Sequence, residues 1–387
     1  AFPLVEKKFG FSKESWVHIG DNPVSDGFRP SEFGIESFVL RDYSEKQRRA
    51  IARRYFNYSK GRPFWRGRAL QQLMMPHEGE NIKRDRLYVE GYNFLAPLIG
   101  GFIQELAERC RKEKISKIFF LSREGWTFKQ FWEKSIPVLF PDGDLPEIEY
   151  LYVSRMALAG STCAHQGLTK DNIAIAFLPA GNRDFRDVAR IFSLDAERFI
   201  PCFDRYKLKI DTCLTPLHDG FEQINMRRFM DMVEDDEFQD EVKRQTADQD
   251  KAMMRYFEDV GMFDPSDIAI VDIGWLGTIQ RFLYDSIKHR KDCPRIHGYL
   301  FAATRGVDYP ESSKNSLEGI IFDQHRFNLG ASSVLYARDV FEEACRAPYP
   351  TLNGYRMKGD KGYELVFRQT DDEIGKLSND FNMFIKK

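Results

Sequence analysis

The sequence predicts an α/β fold built on a doubly wound, mainly parallel sheet for most of its 387 residues. Three observations carry that expectation. Apolar runs of strand length at Lys117–Leu121, Ile148–Val153 and Ile268–Asp272 read as buried strands. Segments with apolar residues at helical spacing lie between them, and strands that alternate with helices build parallel sheets. Each strand then ends in a polar signature: Ser122-Arg123-Glu124-Gly125, Ser154-Arg155 and Asp272-Ile273-Gly274. The carboxyl ends of parallel strands share one edge, and open α/β sheets bind their ligands there.

Length and charge bound the rest. A chain of this size is expected to hold two domains, each able to bury a core. The 57 basic and 59 acidic residues nearly cancel, so no nucleic-acid partner is expected. The 6 cysteines make no CxxC pair and no zinc spacing, and the 7 histidines no HExxH; the thiols read as reduced, in a cytoplasmic protein. No signal peptide is visible. The most apolar helical stretch, Tyr92–Leu106, is interrupted by Pro97, Gly100 and Gly101 and is too short to span a bilayer. It reads as a buried helix kinked at Pro97.

In chain order, Leu4–Phe9 reads as a helix end, Trp16–Asp21 as a short buried strand and Ser37–Leu40 as a second strand. Between them His18-Ile-Gly-Asp21-Asn-Pro-Val-Ser-Asp26, followed by Phe33-Gly34-Ile35, resembles the fourth motif of the haloacid dehalogenase (HAD) superfamily. The resemblance covers about the first forty residues and implies a Rossmann-like fragment, residues 1–42, in which Asp21 and Asp26 help hold Mg²⁺ beside a phosphate. Carboxylate oxygens at a strand end suit such a hard ion. The nucleophilic Asp of that superfamily lies well before this motif, so the expected fragment is the tail of a phosphatase domain, without phosphatase activity in this chain.

Residues 43–85 read as a connector. A basic helix, Glu45–Tyr55, precedes Arg62-Pro-Phe-Trp65-Arg66-Gly-Arg68, where basic and aromatic residues interleave. Such interleaving occurs on single-stranded nucleic-acid surfaces; a solvated helix face or a site for an anionic acceptor are the alternatives. The main domain, 86–387, opens with a long helix to about Lys112. Asp142-Gly-Asp144 offers turn chemistry, although the same triplet binds metal in many glycosyltransferases. Residues 170–262 read as a helical insertion, and Glu234-Asp-Asp-Glu237 sits where the helix dipole favours acids. Strands at Ile296–Ala302 and Leu317–Phe322, a helix near Val334–Cys345 and a hairpin at Gly354–Met357 and Tyr363–Phe367 complete the chain.

The stretch Ile268–Gln280 is the centre of the expected site. Gly274 and Gly277 flank Trp275 and Leu276, and Thr278 opens a helix with Phe282, Leu283 and Ile287 on one face. A turn of this kind aims backbone N–H groups at one point, where the helix dipole favours an anion. Asp272 at the strand end can hold a metal ion or a sugar hydroxyl. The whole reads as a cradle for the phosphate of a phosphorylated sugar, or as an ordinary strand–turn–helix corner. Arg123 and Arg155 can pair bidentately with further phosphate oxygens. Glu124 and Glu342, the latter on an otherwise apolar helix end, are candidate general bases.

The main domain also resembles a family. Phe119-Phe-Leu-Ser-Arg-Glu-Gly125, Tyr152-Val-Ser-Arg155, Val271-Asp-Ile-Gly-Trp-Leu-Gly-Thr278 and Phe341-Glu-Glu-Ala-Cys-Arg-Ala-Pro-Tyr-Pro350 are similar to the C-terminal module of bacterial HAD-type hydrolases found among surface-polysaccharide glycosyltransferases. The likeness spans roughly residues 90–355. It implies a phosphoribosyltransferase-like module that moves 5-phosphoribosyl from phosphoribosyl pyrophosphate to a glycan or lipid-linked glycan, while the HAD module removes the 5-phosphate. Mg²⁺ is the implied cofactor, and peripheral association with membrane-bound polysaccharide assembly enzymes is an implied partnership. On this resemblance Asp272, Arg123, Glu124 and Glu342 are catalytic. Ser122, Gly125, Ser154, Arg155, Gly274, Trp275, Leu276, Gly277 and Thr278 bind substrate, and Asp21, Asp26 and Asp272 bind metal. Ordinary phosphoribosyltransferases carry two adjacent acids before their glycine turn; here Asp272 stands alone. The alternatives are a phosphatase whose C-terminal domain is a substrate-binding cap, and a non-catalytic scaffold.

Overall fold

Five strands form one all-parallel sheet: β3 (Lys117–Leu121), β4 (Glu147–Leu151), β5 (Asp267–Trp275), β6 (Arg295–Ala303) and β7 (Asn315–Asp323), in the spatial order β4-β3-β5-β6-β7. The computed structural model describes residues 2–10, 12–40, 91, 95–141, 143, 145–177, 183–214, 224–304, 312–327, 331–360 and 362–368. The expected connector at 43–85, Asp142 and Asp144 lie outside the described residues. The chain divides into two compact units, Ala1–Lys60 and Gly61–Lys387.

In the larger unit the strands are apolar because both faces of the sheet are covered. The pleat sends alternate residues to opposite sides. Phe119, Leu121, Ile268 and Ile270 belong to one core cluster, and Ile118, Phe120, Ala269 and Val271 to the other. The core on the first face is shared with α5 (Arg155–Gln166), α6 (Lys170–Ala176), α7 (Phe185–Phe192), α8 (Ile200–Arg205), α9 (Ile224–Val233), α10 (Asp236–Asp259) and α11 (Thr278–Ile287). The second is covered by α3 (Ala96–Lys112), α4 (Gly125–Leu139) and α12 (Arg338–Cys345). The helical block expected at 170–262 is therefore one layer of the main core: Phe257, Met253 and Phe238 share a cluster with Ile268 and Ile270.

Local chemistry sets the helix ends. Ser154 Oγ caps α5 through the Ala157 N–H at 3.0 Å, and Asp184 and Asp187 form a reciprocal capping box on α7. Pro97 lies in the first turn of α3, where its missing N–H has no partner to lose, so no kink is needed. The helix expected at Val334–Cys345 is a 3₁₀ segment, Ala331–Ala337, followed by α12. The hairpin β8 (Leu352–Lys358) and β9 (Gly362–Phe367) is antiparallel and packs Leu352 and Tyr355 into the first core.

The strand order creates a topological switch point. β3 leads into α4 on one face of the sheet, and its neighbour β5 leads into α11 on the other. The two chains part at the carboxyl edge between these strands, the place where a doubly wound sheet opens a crevice.

The smaller unit holds α1 (Phe2–Phe9), a parallel pair β1 (Val17–Gly20) and β2 (Glu36–Val39), a π-helical turn at Pro23–Phe28 and α2 (Arg29–Glu32). Its first strand is not buried as expected: Val17 and Ile19 remain 46% and 43% exposed, and the opposing Phe38 44%. A two-stranded parallel sheet has too few neighbours to cover both faces. Among the described residues no helix is long and apolar enough to cross a membrane.

Candidate functional site

The candidate site lies at the carboxyl edge between β3 and β5. The sequence places a glycine turn from Gly274 onwards, but β5 continues through Gly274 and Trp275, which pair with Ala302 and Ala303 of β6. The turn therefore shrinks to Leu276 and Gly277. Gly274 belongs to the sheet because a side chain cannot fit there: its φ is +135°, and a Cβ would lie 2.2 Å from the Ala302 carbonyl oxygen. Gly277 has φ +70° and caps α11, while Leu276 is 41% exposed. The first N–H groups of α11, from Thr278 on, have no intrahelical acceptor, as at every helix start. Peptide bonds Ser122–Arg123 and Gly274–Trp275 are both cis.

Three carboxyl groups converge on this edge. Asp272 is buried, and one of its oxygens accepts the Ile273 N–H at 2.8 Å. Burial pushes its carboxyl well above the ordinary range; the charges of Glu124 and Glu342 add to this, and Arg123 opposes it. Glu124 is also buried and also raised, again chiefly by burial. Its Oε1 lies 3.2 Å from Arg123 Nη2 but outside hydrogen-bond geometry, so this buried oxygen has no hydrogen-bond partner. Glu342, half-buried on α12, accepts the Trp275 indole N–H at 2.5 Å. Among the described residues Arg123 is the single cation shown to pair here, with a third of its side chain exposed.

The remaining expected residues have other partners. Ser122 Oγ donates to the Val153 carbonyl at 2.5 Å and accepts the Val153 N–H at 3.1 Å, which locks β3 to the segment after β4. Ser154 Oγ donates to the Leu352 carbonyl at 2.6 Å in addition to capping α5. Both hydroxyl protons are thus committed to the protein. Gly125 lets α4 start close against β3, since a Cβ there would meet the Phe120 carbonyl carbon at 2.8 Å. Arg155, the first residue of α5, is exposed and forms no ion pair with the described residues.

Several residues of the site went unnoticed in the sequence. Thr127 Oγ1 donates to the Cys345 carbonyl at 2.8 Å and ties α4 to the end of α12. Thr304 donates to the Trp275 carbonyl through its N–H at 2.7 Å and its hydroxyl at 3.1 Å. Arg338 sits 6.0 Å from the Trp275 ring. Tyr150 and Tyr349 stack edge to face at 5.9 Å and feel the charge of Glu124; burial raises both phenols. The Pro-Tyr-Pro context of Tyr349 was the only local signal among these.

Among the described residues, the acids at this edge form no three-ligand group with metal spacing. Among the described residues, the one grouping of three with metal spacing is Cys202, Asp235 and Glu237 in the helical layer. There Arg205 already occupies the cation position, 3.3 Å from Cys202, 3.1 Å from Asp235 and 2.9 Å from Glu237. In the smaller unit Asp26 accepts the N–H groups of Asp21 and Asn22 at 3.0 and 2.9 Å and bonds the His18 ring at 3.1 Å. These partners, the Asn22 N–H foremost, lower its carboxyl below the usual range. Asp26 thus clamps its own loop, beside an exposed Asp21.

The chain matches no protein-family model and no curated protein.

Proposed function

We propose that the protein is a glycosyltransferase that moves 5-phosphoribosyl from phosphoribosyl pyrophosphate to a hydroxyl of a glycan or lipid-linked glycan in bacterial surface-polysaccharide synthesis. The observation that carries this is the convergence of Arg123, three carboxyl groups and the start of α11 on one topological switch point. The α11 N-terminus suits the 5-phosphate. Arg123 suits the pyrophosphate, with Arg155 available on the neighbouring strand end. The raised carboxyls matter for a polyanionic donor substrate. Burial that raises the Glu124 and Asp272 carboxyls disfavours negative charge at the edge that would repel phosphate, and a carboxyl in its protonated form can donate to a ribose hydroxyl.

In the reaction the acceptor oxygen bonds to C1 of the ribose as the C1–O bond to pyrophosphate breaks. The electron pair leaves with pyrophosphate, where Arg123 meets the developing charge. The acceptor proton passes to Glu342. Mg²⁺, if bound with the donor substrate, would be held by its phosphates with Asp272 as the candidate protein ligand, and would offset charge on the leaving group. The product retains its 5-phosphate, which gives a HAD phosphatase a substrate.

Phosphorus NMR of phosphoribosyl pyrophosphate with Mg²⁺, this chain and a panel of oligosaccharide acceptors tests the proposal. Acceptor-dependent pyrophosphate together with a retained sugar phosphate is the expected result. Release of inorganic phosphate without pyrophosphate, or no turnover with any acceptor, would overturn it.

A further inference from the structure

We infer that Trp275 is a positioning residue for Glu342: its indole N–H fixes the orientation of the carboxylate at the carboxyl edge of the sheet, and its ring is not a platform for substrate. The role assigned to Glu342 rests on the transferase proposal; the contact itself does not.

The geometry is locked on both sides. An indole has one N–H and no acceptor, so a rigid ring dictates where its partner oxygen sits. The ring is rigid because Trp275 is 8% exposed and belongs to the second core. Its backbone is paired to Ala303 of β6, and its carbonyl receives both Thr304 donors. On the other side, α12 is pinned by Thr127 at the Cys345 carbonyl and by Phe341, whose ring lies 5.3 Å from Phe301. Two fixed elements, 67 residues apart in sequence, thus meet through one short hydrogen bond to Glu342 Oε1. The bond is charge-assisted when the carboxylate is ionised.

A second observation distinguishes Glu342 from its neighbours. Glu124 presents a buried oxygen without a hydrogen-bond partner, and Asp272 receives only the N–H of the next residue. Of the three acids at this edge, Glu342 alone is aimed by a side-chain hydrogen bond from another element among the described residues. Burial of the indole also removes the stacking face that a sugar would need. The Trp-Leu pair between the two glycines therefore serves the carboxylate through Trp275, while the half-exposed Leu276 faces outward.

The contact is tested on the full chain by proton–nitrogen correlation spectra of the indole groups, with phosphoribosyl pyrophosphate turnover as the kinetic arm. The Trp275 resonance is identified by its loss in Trp275→Phe. In Glu342→Gln, which keeps shape and loses charge, that resonance is expected to move upfield while the other indole signals stay in place. Trp275→Phe is expected to lower kcat about ten- to a hundredfold, the usual cost of a misplaced catalytic group, with KM for the donor substrate within about twofold. An indole signal indifferent to Glu342→Gln overturns the inference, whatever the variant does to folding. So does a kcat unchanged in Trp275→Phe. A wild-type chain that shows the indole–carboxylate coupling yet transfers nothing would sink the transferase proposal and leave the contact established.

Discussion

Replacing Arg123 by Ala is expected to lower kcat/KM for phosphoribosyl transfer by about 10²–10³-fold, the range seen when one preorganised charge-stabilising donor is removed. The expectation follows from the balance of charge at the edge. Among the described residues Arg123 is the one cation that pairs with the acids there, at Glu124, and it opposes the raised carboxyls of Glu124 and Asp272, as the Ile273 N–H does at Asp272. On the proposed reaction, its loss removes the cation beside Glu124 that would meet the leaving pyrophosphate. Arg123→Lys should recover part of the loss, since an ammonium keeps the charge but not the planar fork. The variant's thermal midpoint separates this from misfolding. Transfer within about threefold of wild type in a folded Arg123→Ala variant would remove Arg123 from the site.

The largest effect on stability is expected at Gly274. Its φ of +135° is closed to residues with a Cβ, and an added Cβ would lie 2.2 Å from the Ala302 oxygen and 3.3 Å from the Ala302 carbonyl carbon. Neither can move freely, because both belong to the pairing of β5 with β6 at the middle of the sheet. Gly274→Ala should therefore cost roughly 3–5 kcal/mol, combining a forbidden backbone conformation with a backbone clash. Urea unfolding followed by tryptophan fluorescence measures this. A change below about 0.5 kcal/mol, typical of open surface positions, would show that the strand does not pass through Gly274 as described.

The same glycine shows where the sequence was legible and where it was not. Burial on both faces makes β3 and β5 read as continuous apolar runs, so their presence, and the polar residues at their ends, could be read directly. The extension of β5 could not, because Gly-Trp-Leu-Gly carries turn chemistry while its strand partner, Ala302, lies far along the chain. Glu342 could be singled out as an acid on an apolar helix end, but its partnership with Trp275 depends on tertiary packing between α12 and β5. Ser122 and Ser154 have the composition of ligand-binding residues; only the folded chain shows their protons given to Val153 and Leu352. The helical block was legible as helix from its spacing, whereas its place as a layer of the main core rests on Phe257, Met253 and Phe238 sharing one core cluster with Ile268 and Ile270 of the sheet. The exposure of β1 had no local sign, since Val17 and Ile19 have the composition of a buried strand.

On the proposed function, ligands enter at the carboxyl edge between β3 and β5. Hydrogen exchange of the chain with and without phosphoribosyl pyrophosphate and Mg²⁺ tests it most directly, because it locates binding even where no acceptor is at hand. Protection should concentrate at residues 121–127 and 274–281, the end of β3 with the start of α4 and the end of β5 with the start of α11. Protection confined instead to the charged groove formed by Glu105, Arg109, Tyr299 and Glu318, or no protection at saturating donor substrate, would contradict the account.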